Sequence, residues 1–362
     1  MSPKAHFSAF LGIRQGAPPF RLPSLNRFLY CPVVVYLEWK EIPSVALSDS
    51  EDPYLLRRRT WGERLVDHGF KRLSFVLASL VGIVLLGIFL TVFSGAQQAI
   101  FDLGVGFLVR SDWDPVNDQY GAFTAIYGTI VTSALALLIA VPLGVGTAIF
   151  ITEKMIPLWM RQLLGLMVEL LAAIPSVVLG LWAIFVMEPF IRPALQGLHH
   201  VFGWLPLFAT SPRGPGMAPA VMILAVMILP IITAIARDSL MQVPDELRQA
   251  AYGVGTTRWG AIIHVILPAA VSGIAGGVML ALGRAMGETM AVTMIIGNSN
   301  NFSWSVLAPA NTISSMLANQ FAEADGFQVS ALMYAALVLM IITLLVNLLA
   351  QLVVRRLSLQ YR

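Results

Sequence analysis

Charge is what this chain has least of. Asp, Glu, Lys and Arg make up only 12% of its 362 residues, against 57% apolar residues, and the mean hydropathy is +0.77. Soluble domains carry about a quarter charged residues, so this sequence has roughly half the charge needed to coat a water-facing surface. That excludes a soluble enzyme, a nucleic-acid binder and an intrinsically disordered chain. Cysteine is almost missing too: Cys31 alone permits neither an internal disulfide framework nor a Cys-rich metal site. No GxxxxGK[ST] phosphate loop occurs, which excludes ATP hydrolysis by that device.

What fills the sequence instead is a series of long apolar runs. Leu73 to Phe101 is 29 residues without a charge, longer than the roughly 20 a helix needs to cross the hydrocarbon core. Further runs lie from Gln119 to Thr152, between Arg161 and Glu188 with Glu169 inside, and from Gly214 to Ala236. The last two run from Leu267-Pro268 to Ile296, with Arg284 and Glu288 inside, and from Ala331 to Val354. Lipid offers backbone groups no partner, so spans of this length and apolarity must be helices. One such run could be a buried core helix; six in series predict an all-α polytopic membrane protein with six transmembrane helices. Pro175 and Pro230 are expected to kink the third and fourth spans.

Orientation follows from the basic residues. If both termini share a side, that side holds 19 of the 23 Lys and Arg, while Arg110, Arg192 and Arg213 lie opposite and Arg284 lies within the membrane. The positive-inside rule then makes both termini cytoplasmic. The outer loops are acidic, with Asp102, Asp112, Asp114 and Asp118 in the first and Glu323 and Asp325 in the last. Residues 1–70 form a cytoplasmic extension, expected to be partly disordered, without a signal peptide. No Met occurs between Met1 and Met155, so a shorter product would need a different start codon. The expected layout is completed by the first helix at 71–101, an outer loop at 102–121, a transmembrane domain at 122–354 and a tail at 355–362.

The cytoplasmic loop after span four reads VPDELRQAAYGVGTTRWGAIIHVILPAA. Pro244 suits a first helical turn, and Asp245 and Glu246 place negative charge at its positive end. Leu247, Ala250, Ala251 and Val254 recur at helical spacing on one face. Gly253 and Gly255 can end this helix, Thr256 or Thr257 can cap the next, and Pro268 marks the start of span five. The segment resembles the EAA loop of ABC-importer permeases: Gln249-Ala250-Ala251, Gly255, Val265 and Leu267-Pro268 fall at that motif's spacings, with Gln for Glu and Val for Ile. The resemblance implies a type I ABC-importer permease fold, in which the loop 237–268 docks on a separate ATPase through Gln249, Ala250, Ala251, Gly255, Leu267 and Pro268.

Arg284 and Glu288 are separated by one helical turn. An Arg at mid-membrane costs about 2.5 to 3.5 kcal/mol on insertion scales, so the two form either a structural ion pair or a site for an anion. Glu169 is a weaker pathway candidate; it can equally snorkel or bond a neighbouring helix. Small-residue pairs, Gly273 with Gly277 and Gly283 with Gly287, permit close helix packing. GRAMGETMAVTMIIGN, with YGAFTAIYGTIVTSALALLIAVPLGVGTAIFITE and MVELLAAIPSVVLGLW, is similar to the PstC-type permeases of bacterial phosphate importers, over roughly Asp112 to Val354. The similarity implies a non-enzymatic permease of the inner (plasma) membrane, half of a phosphate pathway whose family Arg and Glu map onto Arg284 and Glu288. It also implies a PstA-type second permease, two PstB-type ATPases carrying ATP and Mg, and a PstS-type periplasmic binding protein, with no cofactor in this chain. The alternatives are an ABC permease for sulfate or molybdate, and an ion-coupled secondary transporter.

Overall fold

The computed structural model describes residues 61–153 and 155–360; the expectations for residues 1–60 lie outside them. Two compact units divide the chain. Met1–Leu73 contributes to the description only the beginning of the first helix, and Ser74–Arg362 holds everything that follows. In chain order the helices are α1 (Trp61–Leu103), α2 (Gly106–Val109), α3 (Phe123–Thr152), α4 (Leu158–Ala173), α5 (Ser176–Trp182) and α6 (Glu188–Phe202). They continue as α7 (Met217–Met241), α8 (Asp245–Gly253), α9 (Arg258–Ala261), α10 (Leu267–Gly287), α11 (Met290–Ile295), α12 (Ile313–Gln320) and α13 (Phe327–Gln360). A two-stranded hairpin, β1 (Trp113–Asp114) with β2 (Gln119–Tyr120), pairs Trp113 with Tyr120 in the loop after α2.

Six helical stretches are long and apolar enough to cross a membrane: His68–Leu103, Phe123–Thr152, Ser176–Phe202, Met217–Met241, Arg258–Gly287 and Phe327–Leu352. The central one is α7, whose Ile223, Leu224, Ile228 and Ile232 are buried. Glycine lets its neighbours come close. A Cβ on Gly144 of α3 would lie 2.9 Å from Ile232, and one on Gly277 of α10 would lie 2.9 Å from Ile235. On α1, by contrast, Leu77, Leu85 and Leu86 are all exposed. An apolar helix surface of this kind is solvated by lipid rather than by water.

The third and fifth spans differ from the sequence expectation. The run between Arg161 and Glu188 is not one kinked helix. It is α4, then extended backbone at Ile174 and Pro175 (ψ 127° and 138°), then α5. Proline disfavours helical backbone in the residue before it, and here it separates two helices outright. The helix long enough to span is Ser176–Phe202, continuous through a π-helical segment at Ala183–Met187. It therefore takes in Glu188 and Arg192, which the sequence places at its end and beyond it. In the fifth span Pro268 is not a boundary: α9, a π-helical segment at Ile262–Ile266 and α10 form one helix from Arg258. Pro268 lacks an N–H to bond back along the helix, and the widened turn directly before it accommodates that loss. This helix ends at Gly287 instead of Ile296. Helix α7 runs through Pro230 without interruption.

Candidate functional site

Packing fixes the depth of the charged residues. Gly273 faces Ser239 and Gly277 faces Ile235, an antiparallel register between α10 and α7. Continued seven residues further, it puts Arg284 level with Ile228, the middle of α7. The second glycine pair packs differently: a Cβ on Gly283 would meet only Asn347 at 3.9 Å, and one on Gly287 would meet nothing within 4 Å.

Glu288 does not continue the helix of Arg284. It caps α10 in extended conformation (φ −67°, ψ 120°), and α11 restarts after Thr289. A break at this depth frees carbonyls that lipid cannot satisfy, and the chain supplies donors for them. Ser314 of α12 donates its hydroxyl to Met286 O at 3.0 Å, and Thr289 donates to Gly287 O at 3.1 Å. The start of α12 is fixed in turn by a Thr312–Ser315 capping box and by Ile313 N–H donating to Thr129 Oγ1 at 3.0 Å. The carboxylate of Glu288 is nearly buried, at 9% exposed, while the Arg284 guanidinium is 45% exposed and 3.9 Å away. A contact that long leaves the guanidinium donors largely open. The geometry is that of a half-exposed guanidinium beside a nearly buried carboxylate.

Glu169 does not lie in a membrane-length helix. It sits on α4, its side chain largely exposed, 3.8 Å from Arg237 of α7. The sequence expectation that places it two turns inside the third span is corrected by the Ile174–Pro175 break, which puts α4 ahead of that span.

The six expected coupling residues do not form one surface. In α8, Gln249 and Ala250 face outward and Ala251 is buried. Leu267 and Pro268 are half-buried within the fifth span. Gly255 adopts φ +81°, left-handed backbone that favours glycine, and its N–H donates to Tyr252 O at 3.0 Å to close the turn after α8. Thr257 caps α9 by accepting from Gly260 N–H at 3.2 Å. Leu247, Tyr252, Val254, Trp259 and Ile263 are exposed around this turn, a cluster of large apolar side chains that the bundle leaves uncovered.

Two ion pairs were missed from sequence. Arg248 of α8 bonds Glu153 at the end of α3 and donates to Leu240 O of α7 at 2.7 Å. Arg192 holds Glu188 through two bonds of 2.8 and 2.5 Å. The second has an i, i+4 signal that a third span ending at Glu188 conceals; the first joins residues 95 positions apart and has no local signal.

Residues 140–359 match the family described as binding-protein-dependent transport system inner membrane component. The chain belongs to this family. Among curated relatives, the permease is 46% identical over 300 residues to the phosphate transport system permease protein PstC of Mesorhizobium japonicum, covering 81% of this chain and 91% of the relative. It is 40% identical over 315 residues to the PstC of Pasteurella multocida, covering 84% and 98%. Among solved structures it resembles one chain of a bacterial alginate ABC transporter in complex with an alginate-pentasaccharide-bound periplasmic protein, at 17% identity and a TM-score of 0.57, covering 83% of this chain and 99% of that one. The permease is thus a multi-pass inner-membrane protein with the expected type I ABC-importer permease fold.

Proposed function

We propose that the permease conducts phosphate inward as half of the translocation pathway of an ATP-driven importer. The observation that carries the substrate is the 46% identity, over 81% of the chain, to a relative named for phosphate transport. The geometry supplies a chemical reason. Hydrogen phosphate at neutral pH retains a proton that the fixed Glu288 carboxylate can accept in a hydrogen bond, whereas sulfate has none to give. Arg284, half-exposed at mid-depth, supplies the attraction for the anion.

A single chain with one such site is half of a pathway, and a second PstA-type permease completes it. A PstS-type binding protein delivers the anion on the outer side. Two PstB-type ATPases dock on the uncovered apolar cluster around α8 and Gly255, and ATP and Mg reside on them. The positive-inside count puts both termini, with α8, in the cytoplasm. Purification with the co-expressed partners tests the reading. Phosphate-dependent ATP hydrolysis and phosphate uptake into vesicles, with sulfate and molybdate inert, are the expected results, and Gly255→Asp should release the ATPase. Uptake of sulfate or molybdate instead moves the cargo. Full transport by the chain without an ATPase subunit, the behaviour of an ion-coupled carrier, overturns the proposal.

A further inference from the structure

At the end of the bundle where α7 begins, the loop leading into α7 and the segment following α11 line an open pocket of about 480 Å³. Its walls are cross-tied. Gly216 N–H donates to Ile295 O at 2.8 Å, Met217 N–H to Ala308 O at 3.0 Å, Ala310 N–H to Ile296 O at 3.0 Å and Val306 N–H to Leu207 O at 2.9 Å. Gly297, at φ +91°, lies so close that a Cβ there would be 2.8 Å from Pro309. The cavity is therefore preformed. Among the described lining residues one is charged, Arg213, and Thr210 and Ser211 add hydroxyls.

Arg213 has no carboxylate partner among the described residues, unlike Arg192, which Glu188 neutralises on the neighbouring helix. The loops assigned to the same side carry Asp102, Asp112, Asp114, Asp118, Glu323 and Asp325, whose field repels anions. The Arg213 guanidinium, exposed at the mouth of this cross-tied pocket, reverses that field locally. Gly297 on its wall follows Glu288 by nine residues, with α11 between the two.

We propose that this cavity is an outer anion-binding station, in which Arg213, assisted by the Thr210 and Ser211 hydroxyls, holds the tetrahedral oxyanion before it reaches Arg284. The station rests on the phosphate reading above and on the outward placement of this end of the bundle. It separates capture of the anion at Arg213 from its passage past Glu288.

The test uses the complete reconstituted importer in vesicles, with phosphate supplied on its binding protein. Arg213→Gln should raise the half-saturating concentration of loaded binding protein about three- to fivefold, the scale of a partly exposed ionic contact, at unchanged maximal rate. Arg213→Lys should recover most of the loss. Raising ionic strength to about 0.5 M should narrow the difference between Arg213→Gln and the unsubstituted complex. Binding of the empty binding protein to the complex, measured separately, should be unaffected. An unchanged half-saturating concentration in Arg213→Gln overturns the station. So does equal weakening of empty binding-protein docking, which would make Arg213 a protein–protein contact. Absence of phosphate uptake by the unsubstituted complex overturns the phosphate reading itself, and the control shows which has failed.

Discussion

Removing Arg248 should detach α8 from the bundle. The Arg248 and Glu153 side chains are 17% and 6% exposed, so the pair lies largely out of water, and the same guanidinium satisfies the Leu240 carbonyl at 2.7 Å. Truncating one partner of a buried pair leaves the other charge uncompensated, at a cost of about 3–5 kcal/mol. Arg248→Met keeps the apolar stem and removes both contacts, so a loss of about 3 kcal/mol is expected. Glu153→Gln, which still accepts a hydrogen bond, should lose about 1–2 kcal/mol. Once Glu153 is Gln, Arg248→Met no longer strands a charge, and the double variant should be more stable than the sum of the singles by about 1.5–3 kcal/mol. Reversible unfolding of the permease in mixed SDS micelles measures all three. Additive single effects, or an Arg248→Met loss under about 1 kcal/mol, would refute the role assigned to this pair.

Four further outcomes are expected. In reconstituted uptake assays Glu288→Gln should lower phosphate transport more than Arg284→Lys does, because Lys keeps the positive charge while Gln replaces the charged acceptor with a neutral amide, a weaker acceptor that also turns N–H donors toward the phosphate; unchanged uptake in an assembled Arg284→Ala complex would remove both residues from the pathway. Gly277→Ala should cost about 1–3 kcal/mol by overpacking against Ile235, and Gly287→Ala, with open space around it, should stay within about 0.5 kcal/mol; equal effects in unfolding measurements would contradict the packing. In the outer hairpin Asp114 titrates below the usual carboxylate range, first because the Asn117 side chain donates to it and then because Val116 N–H does. The hairpin stabilisation from these bonds is therefore complete above the ordinary Asp value of about 3.9 and lost as pH falls through the lowered one, and Asn117→Ala should raise the Asp114 midpoint in a carboxyl NMR titration, a fixed midpoint being the contrary result. Finally, spin labels at Gly276 and Asn300, on either side of the Glu288–Thr289 break, should change separation when the assembled importer binds nucleotide, while labels at Gly260 and Gly276, on one continuous helix, should not.

The spans were legible because the membrane imposes a simple rule, long apolar runs with charge only where it is used, and four of the six helices fall close to those runs, the fifth being displaced by nine residues toward the N-terminus. The third shifted because Pro175 can either kink a helix or end it, and nothing local in LAAIPSVV decides which. The outcome depends on how α5 packs: Gly180 lies against Ala291, whose Cα would be 3.0 Å from an added Cβ. Glu288 shows the same limit. Its spacing from Arg284 was readable, but the break there is supported by Ser314, which bonds Met286 O from 28 residues away. The EAA spacing gave the place of the turn at Gly255 correctly, because a left-handed residue has a strong local preference for glycine. It could not give Arg248–Glu153, a pair chosen by tertiary packing alone.

These long-range contacts bear on how a movement of the α8–α9 loop reaches the Arg284–Glu288 pair. Through Arg248, α8 is tied to the ends of both α3 and α7. Through Thr257 and the unbroken helix from Arg258, the same loop leads without interruption to Gly287. A displacement of the loop is thus delivered along three helices at once, and along the fifth span it meets no break until Glu288–Thr289. Arg284 lies one turn before that break and Glu288 lies in it. Relative motion across the break changes the 3.9 Å separation of the pair more readily than any motion within either helix could. A continuous helix through Glu288 would hold the two side chains at fixed i, i+4 spacing and remove that freedom. The discontinuity that sequence periodicity conceals is the feature that lets a displacement of the α8–α9 loop alter the separation of Arg284 and Glu288.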